Sequence, residues 1–141
     1  MYVTVHSKAG TLTMNGIYSR PRPVVLLVDD DPLLRFFASD LLDDAGFEVI
    51  ETGSADEAVM WLEVRDDVRV ILTDIHMPGS LNGLDLAHLV HRRWPGILVL
   101  VVSGVARPSV AELPGGGRFV AKPYEGSTLL HHLREMIASA P

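Results

Sequence analysis

Three consecutive acids, Asp29, Asp30 and Asp31, follow directly on the apolar run Val24 to Val28, and Asp74, Ser103 and Lys122 each stand at the end of a further apolar run. Adjacent carboxylates repel one another: two charges about 4 Å apart cost roughly 4 kcal/mol at an effective dielectric near 20, enough to raise carboxylate pKa values unless a cation sits among them. An all-oxygen set of a few carboxylates, a carbonyl and several waters suits Mg²⁺, which keeps much of its water shell and commonly binds together with phosphate oxygens. In such a site Asp74 can act as a carboxylate nucleophile on a phosphoryl group, with Ser103 donating a hydrogen bond and Lys122 pairing with a phosphoryl oxygen.

These side chains can meet only if the elements carrying them converge. Val24 to Val28 is a continuous apolar, β-branched-rich run, as expected of a strand buried on both faces. Asp31 is placed as a helix N-cap with Pro32 at the first helical position, Leu34, Phe37, Leu41 and Ala45 recur at helical spacing, and Gly46 lies beyond the end. Phe47 to Ile50 reads as a second strand, and Ser54-Ala55-Asp56-Glu57 as a capping box opening a helix to about Val64. Val68 to Thr73 forms a third strand, a helix runs from about Leu84 to Arg93, and Ile97 to Val102 and Arg118 to Ala121 are the fourth and fifth strands. Between the last two, residues 105–117 hold two prolines and three consecutive glycines, so a fourth helix there is short or irregular. Ser127 is expected to cap a final helix carrying Leu129, Leu130, Leu133, Met136 and Ile137 on one face.

Strands alternating with helices predict an α/β fold, a doubly wound five-stranded parallel sheet covered on both faces. Ligands of such sheets bind outside the carboxyl ends of the strands, where the strand order reverses. Asp29 to Asp31, Asp74, Ser103 and Lys122 all fall at those ends; Glu51-Thr52-Gly53, at the end of the second strand, is not counted among them. With the order 2-1-3-4-5, Asp29 and Asp30 would face Asp74 across the switch point.

Composition excludes several classes. The chain has 141 residues, 48% of them hydrophobic, a size that suits one core. The absence of cysteine removes disulfides and thiolate metal sites, and twelve basic against eighteen acidic residues, without a basic block, argues against nucleic acid. No apolar run approaches the roughly 20 residues of a membrane span, and a cytoplasmic protein is expected. Residues 1–22 lack periodicity and are read as a flexible tail ahead of a domain over residues 23–141, with Met14 as a possible biological start.

The ordered motifs VVLLVDDDP, ILTDIHMPGSLNGLDL, VLVVSG and RFVAKPY, spread between Val24 and Ala138, resemble the CheY-like receiver domain of two-component response regulators, a flavodoxin-like (βα)5 family. The resemblance implies that Asp74 is the phosphoacceptor and a metal ligand. Asp30 would bind the metal directly, Asp29 through water, and His76 by its backbone carbonyl. It also implies that Ser103 turns toward the phosphoryl group, that Phe119 changes rotamer as a switch, and that Lys122-Pro123 is cis. The cofactor would be Mg²⁺, with Mn²⁺ as a substitute. The partners would be a sensor histidine kinase or histidine phosphotransfer protein as donor and a downstream protein, with a homodimer through the face of helix four, strand five and helix five as a further contact. Such a protein catalyses its own phosphorylation and dephosphorylation and is not a turnover enzyme. With Pro141 shortly after the last helix, a stand-alone receiver is expected.

The segment between Asp74 and Gly83 is one residue longer than the common receiver loop, and Ser103 replaces the commoner Thr. His88 with His91, and His131 with His132, are read as solvated helix faces rather than metal sites. Two other functions compete. A haloacid-dehalogenase-type phosphatase would use Asp29, Asp31, Ser103 and Lys122, but it expects a later pair of acids and leaves Asp74 idle. A receiver-like interaction module that is never phosphorylated would act through a fixed surface.

Overall fold

The computed structural model describes residues 4–7, 10–13, 18–19 and 22–140. Five strands form one parallel sheet: β1 (Val24–Val28), β2 (Glu48–Thr52), β3 (Val68–Asp74), β4 (Leu98–Ser103) and β5 (Arg118–Ala121). Their order is β2-β1-β3-β4-β5, as the alternation predicts. The limits of β1 and β5 coincide with the sequence reading, and those of the other three strands differ by at most two residues, the usual uncertainty where an element frays. In the segment read as a tail, Thr4–Ser7, Gly10–Thr13 and Tyr18–Ser19 pair antiparallel in a separate three-stranded sheet. Met14 and Pro141 lie outside the described residues.

Because side chains alternate across a strand, each central strand feeds two cores. Leu26, Val28 and Ile71 point into one layer with Ala58 and Leu62 of α2 (Ala55–Val64) and with Leu86, Ala87 and Val90 of α3 (Gly83–Arg93). Val25, Leu27, Val70 and Leu72 point into the other, against α1 (Pro32–Asp44) and α4 (Gly126–Ser139). The central strands are thereby clamped from both sides, which fixes the strand ends that carry the polar groups.

Local chemistry explains where these helices begin. Asp31 caps α1, its Oδ1 accepting the Leu33 and Leu34 N–H groups at 2.9 and 3.2 Å. Ser54 Oγ accepts the Glu57 N–H at 3.2 Å, and the Glu57 carboxylate accepts the Gly53 N–H at 3.1 Å. Asn82 and Asp85 form a reciprocal capping box that starts α3 at Gly83, just before the expected Leu84. Ser127 is not a cap: Glu125 occupies that position, its carbonyl accepting the Thr128 and Leu129 N–H groups, and Ser127 lies inside the first turn. The glycine-rich segment between β4 and β5 forms only a 3-10 turn over Val110–Glu112, so the expected irregular fourth helix is reduced to one turn.

The buried face of α1 matches the periodicity reading only in part: Leu41 and Ala45 pack partly buried against the core, whereas Leu34 and Phe37 do not. Ala38 and Leu42 are its buried residues, whereas Phe36 and Phe37 are each 60% exposed and Leu33 and Leu34 also face outward. The helix has more large apolar residues than one face can bury, and the small Ala38 lets its backbone lie close to the sheet. The two readings separate by mutation. Leu42→Ala should cost about 2–5 kcal/mol and Phe37→Ala no more than about 0.5 kcal/mol, as read by urea unfolding.

Candidate functional site

Register places the acids. β1 and β3 are neighbours with Val28 opposite Thr73, so the residues just beyond them, Asp29 and Asp74, stand side by side at the carboxyl edge. One oxygen from each of Asp29, Asp30 and Asp74 lies within 4.8 Å of the others. Lys122 reaches in from beyond β5, its Nζ 2.9 Å from Asp74 Oδ2 and 3.6 Å from Asp29 Oδ2. Its backbone N–H donates to the Ser103 carbonyl at 2.9 Å, which ties the end of β5 to the end of β4. The Lys122-Pro123 peptide is cis.

Electrostatics follow from burial. Asp29 is buried, and desolvation pushes its carboxyl above the ordinary range, offset in part by the Asp31 N–H bonded to its Oδ1 at 2.9 Å and by Lys122. The charges of Asp74 and Asp30 push the same way as burial. Burial alone would lower the Lys122 ammonium, but the hydrogen bond and charge of Asp74, with Asp29 beyond, outweigh it and raise Lys122 above its usual value. One ammonium thus serves two of the three carboxylates. A hard divalent cation ligated by oxygen matches what remains.

The loop after β3 is built around a close contact. A Cβ at Gly83 would sit 1.9 Å from the Asp74 carbonyl oxygen, and the Gly83 N–H donates to the Ile75 carbonyl at 2.8 Å. Only glycine lets α3 start against the backbone of Asp74, and Gly79, with φ +114°, takes up the turn of the longer loop. His76 lies in this loop with an exposed side chain.

Ser103 is buried, and its Oγ accepts the Val105 and Ala106 N–H groups at 3.2 and 3.0 Å, so the hydroxyl holds the start of the segment that replaces the fourth helix. Phe119 on β5 is half-buried against the core beneath α2 and α3. Asp31 is committed to capping α1, which removes it from the phosphatase scheme and leaves the cluster of Asp29, Asp30 and Asp74. Two residues with roles escaped the sequence reading. His88, read as part of a solvated face, is exposed, yet its Nε2 lies 2.7 Å from the Glu112 carbonyl and ties the 3-10 turn to α3. Arg35 donates from its guanidinium to the Asp29 carbonyl at 2.7 Å. No local sequence pattern marks either contact, since each acceptor is a main-chain carbonyl, six residues away for Arg35 and 24 for His88.

A family profile described as the response regulator receiver domain matches residues 25–134. Chemotaxis protein CheY1 of Helicobacter pylori is 29% identical over 121 residues, covering 82% of this chain and 97% of that protein. Response regulator protein FleR of Pseudomonas aeruginosa is 35% identical over 109 residues, 75% of this chain but 23% of its own length. The chain therefore spans under a quarter of FleR and, likewise, 25% of the hydrogenase regulator HoxA of Cupriavidus necator. Among solved structures, CheY4 of Vibrio cholerae superposes with a TM-score of 0.72 at 26% identity, covering 82% of this chain and 98% of that one. A receiver protein of Sinorhizobium medicae does so at 0.78 and 23%, a likeness of fold, covering 84% and 96%. No helix among the described residues is long and apolar enough to cross a membrane.

The raised Asp29 carboxyl gives a prediction with a defined sign. Above its ordinary value of 3.8 the unfolded chain loses this proton first, so the group lowers metal-free stability as the pH rises through its folded value. Asp29→Asn should therefore be more stable than the parent in EDTA at pH 7, with the advantage vanishing in acid. It should also lose most of the stabilisation that Mg²⁺ gives the parent, about 2.7 kcal/mol at 100 times the dissociation constant. Urea unfolding with and without Mg²⁺ at several pH values reads both effects.

Proposed function

The chain belongs to the response regulator receiver domain family, and from that membership we propose that it accepts a phosphoryl group from a phosphohistidine donor onto Asp74 in a Mg²⁺-dependent reaction. The observation that supports this best is the convergence of Asp74 with Lys122 at 2.9 Å beside the Asp29 and Asp30 carboxylates. An Asp74 carboxylate oxygen attacks phosphorus, the P–N bond to the donor imidazole breaks, and the imidazole leaves with the bonding pair and takes up a proton. The product is an aspartyl phosphate. Lys122, already bonded to Oδ2 of Asp74, is placed to pair with a phosphoryl oxygen attached through the other carboxylate oxygen. Asp30 directly, Asp29 through water, Asp74 and the His76 carbonyl would hold the Mg²⁺, whose contribution is to neutralise charge on the transferring group.

The signal would then leave through Ser103 and Phe119. A net neutral hydrogen bond is worth about 0.5–1.5 kcal/mol and one to a charged group about 1.5–3 kcal/mol. The Ser103 Oγ accepts its two N–H bonds and has its O–H left to donate to a phosphoryl oxygen; turning the side chain to do so would give up the accepted bonds for one charge-assisted bond, an exchange close to balanced, as a switch requires. The exchange frees the start of the 104–117 segment and the ground beside Phe119. A downstream protein, a second copy meeting the β5 and α4 face, or a further phosphoryl carrier would read the change.

The donor has a natural seat. A groove of about 580 Å³ runs from Leu34, Phe37 and Leu41 of α1 to Pro123 and Tyr124, and Asp29 and Lys122 line its inner end. A donor histidine that reaches Asp74 would lay its surrounding surface over this groove, which accounts for Leu34 and Phe37 standing exposed beside a charged site.

Two experiments test these readings. Incubation with acetyl phosphate and Mg²⁺ should add one phosphoryl group by intact mass, and neither Asp74→Ala nor an EDTA control should gain it. If no adduct forms and beryllofluoride fails to bind, the chain is an interaction module that is not phosphorylated. Phe37→Asp should slow transfer from a phosphorylated histidine phosphotransfer protein about tenfold while leaving the acetyl phosphate rate unchanged; equal loss with both donors would sink the docking role.

A further inference from the structure

The end of β2 contributes no group to the acid cluster, yet it is joined to it through one side chain. Arg35, on the first turns of α1, donates from Nη1 to the Asp29 carbonyl at 2.7 Å, while its Nε lies 3.4 Å from Glu51 Oε1 at the end of β2. Gly53 completes the cradle: a Cβ there would stand 3.2 Å from the same Nη1, so a side chain would press on the guanidinium where it meets Asp29. The Asp29 N–H donates to the Thr52 carbonyl at 3.1 Å, and the Thr52 hydroxyl donates to the Leu27 carbonyl at 3.2 Å. Both main-chain polar groups of Asp29 are thus held from the β2 side, the N–H directly and the carbonyl through Arg35.

We propose that Arg35, anchored by Glu51 and given room by Gly53, is a positioning residue that fixes the peptide between Asp29 and Asp30 and so sets the affinity of the acid cluster for its divalent cation. This rests on reading the cluster as a Mg²⁺ site. The carbonyl of Asp29 belongs to the peptide that carries both acids, so rotation of that peptide turns Asp30, which is exposed and has no strand to hold it, away from Asp74. Arg35 does not act by charge. Its guanidinium is paired with Glu51, and its contact with Asp29 is to the main-chain carbonyl rather than to the carboxylate.

The sign of the mutational effect distinguishes the two roles. A cation acting by charge would repel Mg²⁺, and its removal would tighten binding; a positioning contact, once removed, loosens it. Mg²⁺ affinity of the full chain is measured by calorimetry for the parent, Arg35→Met, Arg35→Lys and Glu51→Gln, alongside urea unfolding in EDTA. Loss of a group that orients a metal ligand typically weakens binding by 10- to 100-fold, and about tenfold is expected for Arg35→Met. Arg35→Lys, which can satisfy one partner but not both, should fall between, and Glu51→Gln should shift affinity the same way by less. Unchanged or tighter Mg²⁺ binding in Arg35→Met overturns the inference while the cation site stands, and so does a loss of metal-free stability with no change in affinity. Absence of Mg²⁺ binding in the parent instead overturns the cation site and the inference with it.

Discussion

Everything at the carboxyl edge of the sheet answers to one constraint: carboxylates forced together on a surface that has withdrawn part of their water. Asp29 is buried, Asp74 lies beside it, and Lys122 is the ammonium that both share. Neither side is comfortable alone. Burial raises the Asp29 carboxyl and by itself would lower the Lys122 ammonium, which the neighbouring acids more than offset. A site with such an imbalance favours a species that brings positive charge with oxygen ligation.

Sustaining this crowding takes a rigid base. The parallel order brings β1 against β3 at the point where the winding reverses, and helices on both faces fill two cores that leave the central strands almost no freedom. Local devices then place each group within that frame. Asp31 spends its carboxylate on the cap of α1, Gly83 lets α3 abut the Asp74 backbone, and the Lys122 N–H locks onto the Ser103 carbonyl. The stability of the cores is what allows the edge to remain electrostatically strained.

Strand runs, their order and the acids at their ends were legible in the sequence because each leaves a local mark: an unbroken apolar run for a strand buried on both faces, and a polar residue where it stops. The face of α1 was not. Leu34, Phe37 and Leu41 have the right period, but Ala38 and Leu42 have it equally, and periodicity cannot choose between two apolar stripes on one helix. The choice belongs to the sheet, which buries Ala38 and Leu42 and part of Leu41 and leaves Leu34 and Phe37 exposed. Ser127 was chosen as a cap by residue type, while the backbone turn begins two residues earlier at Glu125. Arg35 and His88 were invisible for another reason. Each acts on a main-chain carbonyl, and nothing in the acceptor's residue type advertises that its carbonyl will need a donor.

The segment between β4 and β5 is held by contacts of the same kind. Prolines and glycines leave it one 3-10 turn in place of a helix, so few internal hydrogen bonds hold it. It is tied down at one end by the Ser103 hydroxyl and near the other by His88, while Ala106 and Leu113 pack against the core and Pro114 is buried. Of the hydrogen-bonded fastenings, Ser103 is the one that lies at the carboxyl edge of the sheet, where Asp74 also stands. The acid edge and this irregular segment are thus joined through a single buried hydroxyl, which accepts two N–H bonds and keeps its own O–H to donate.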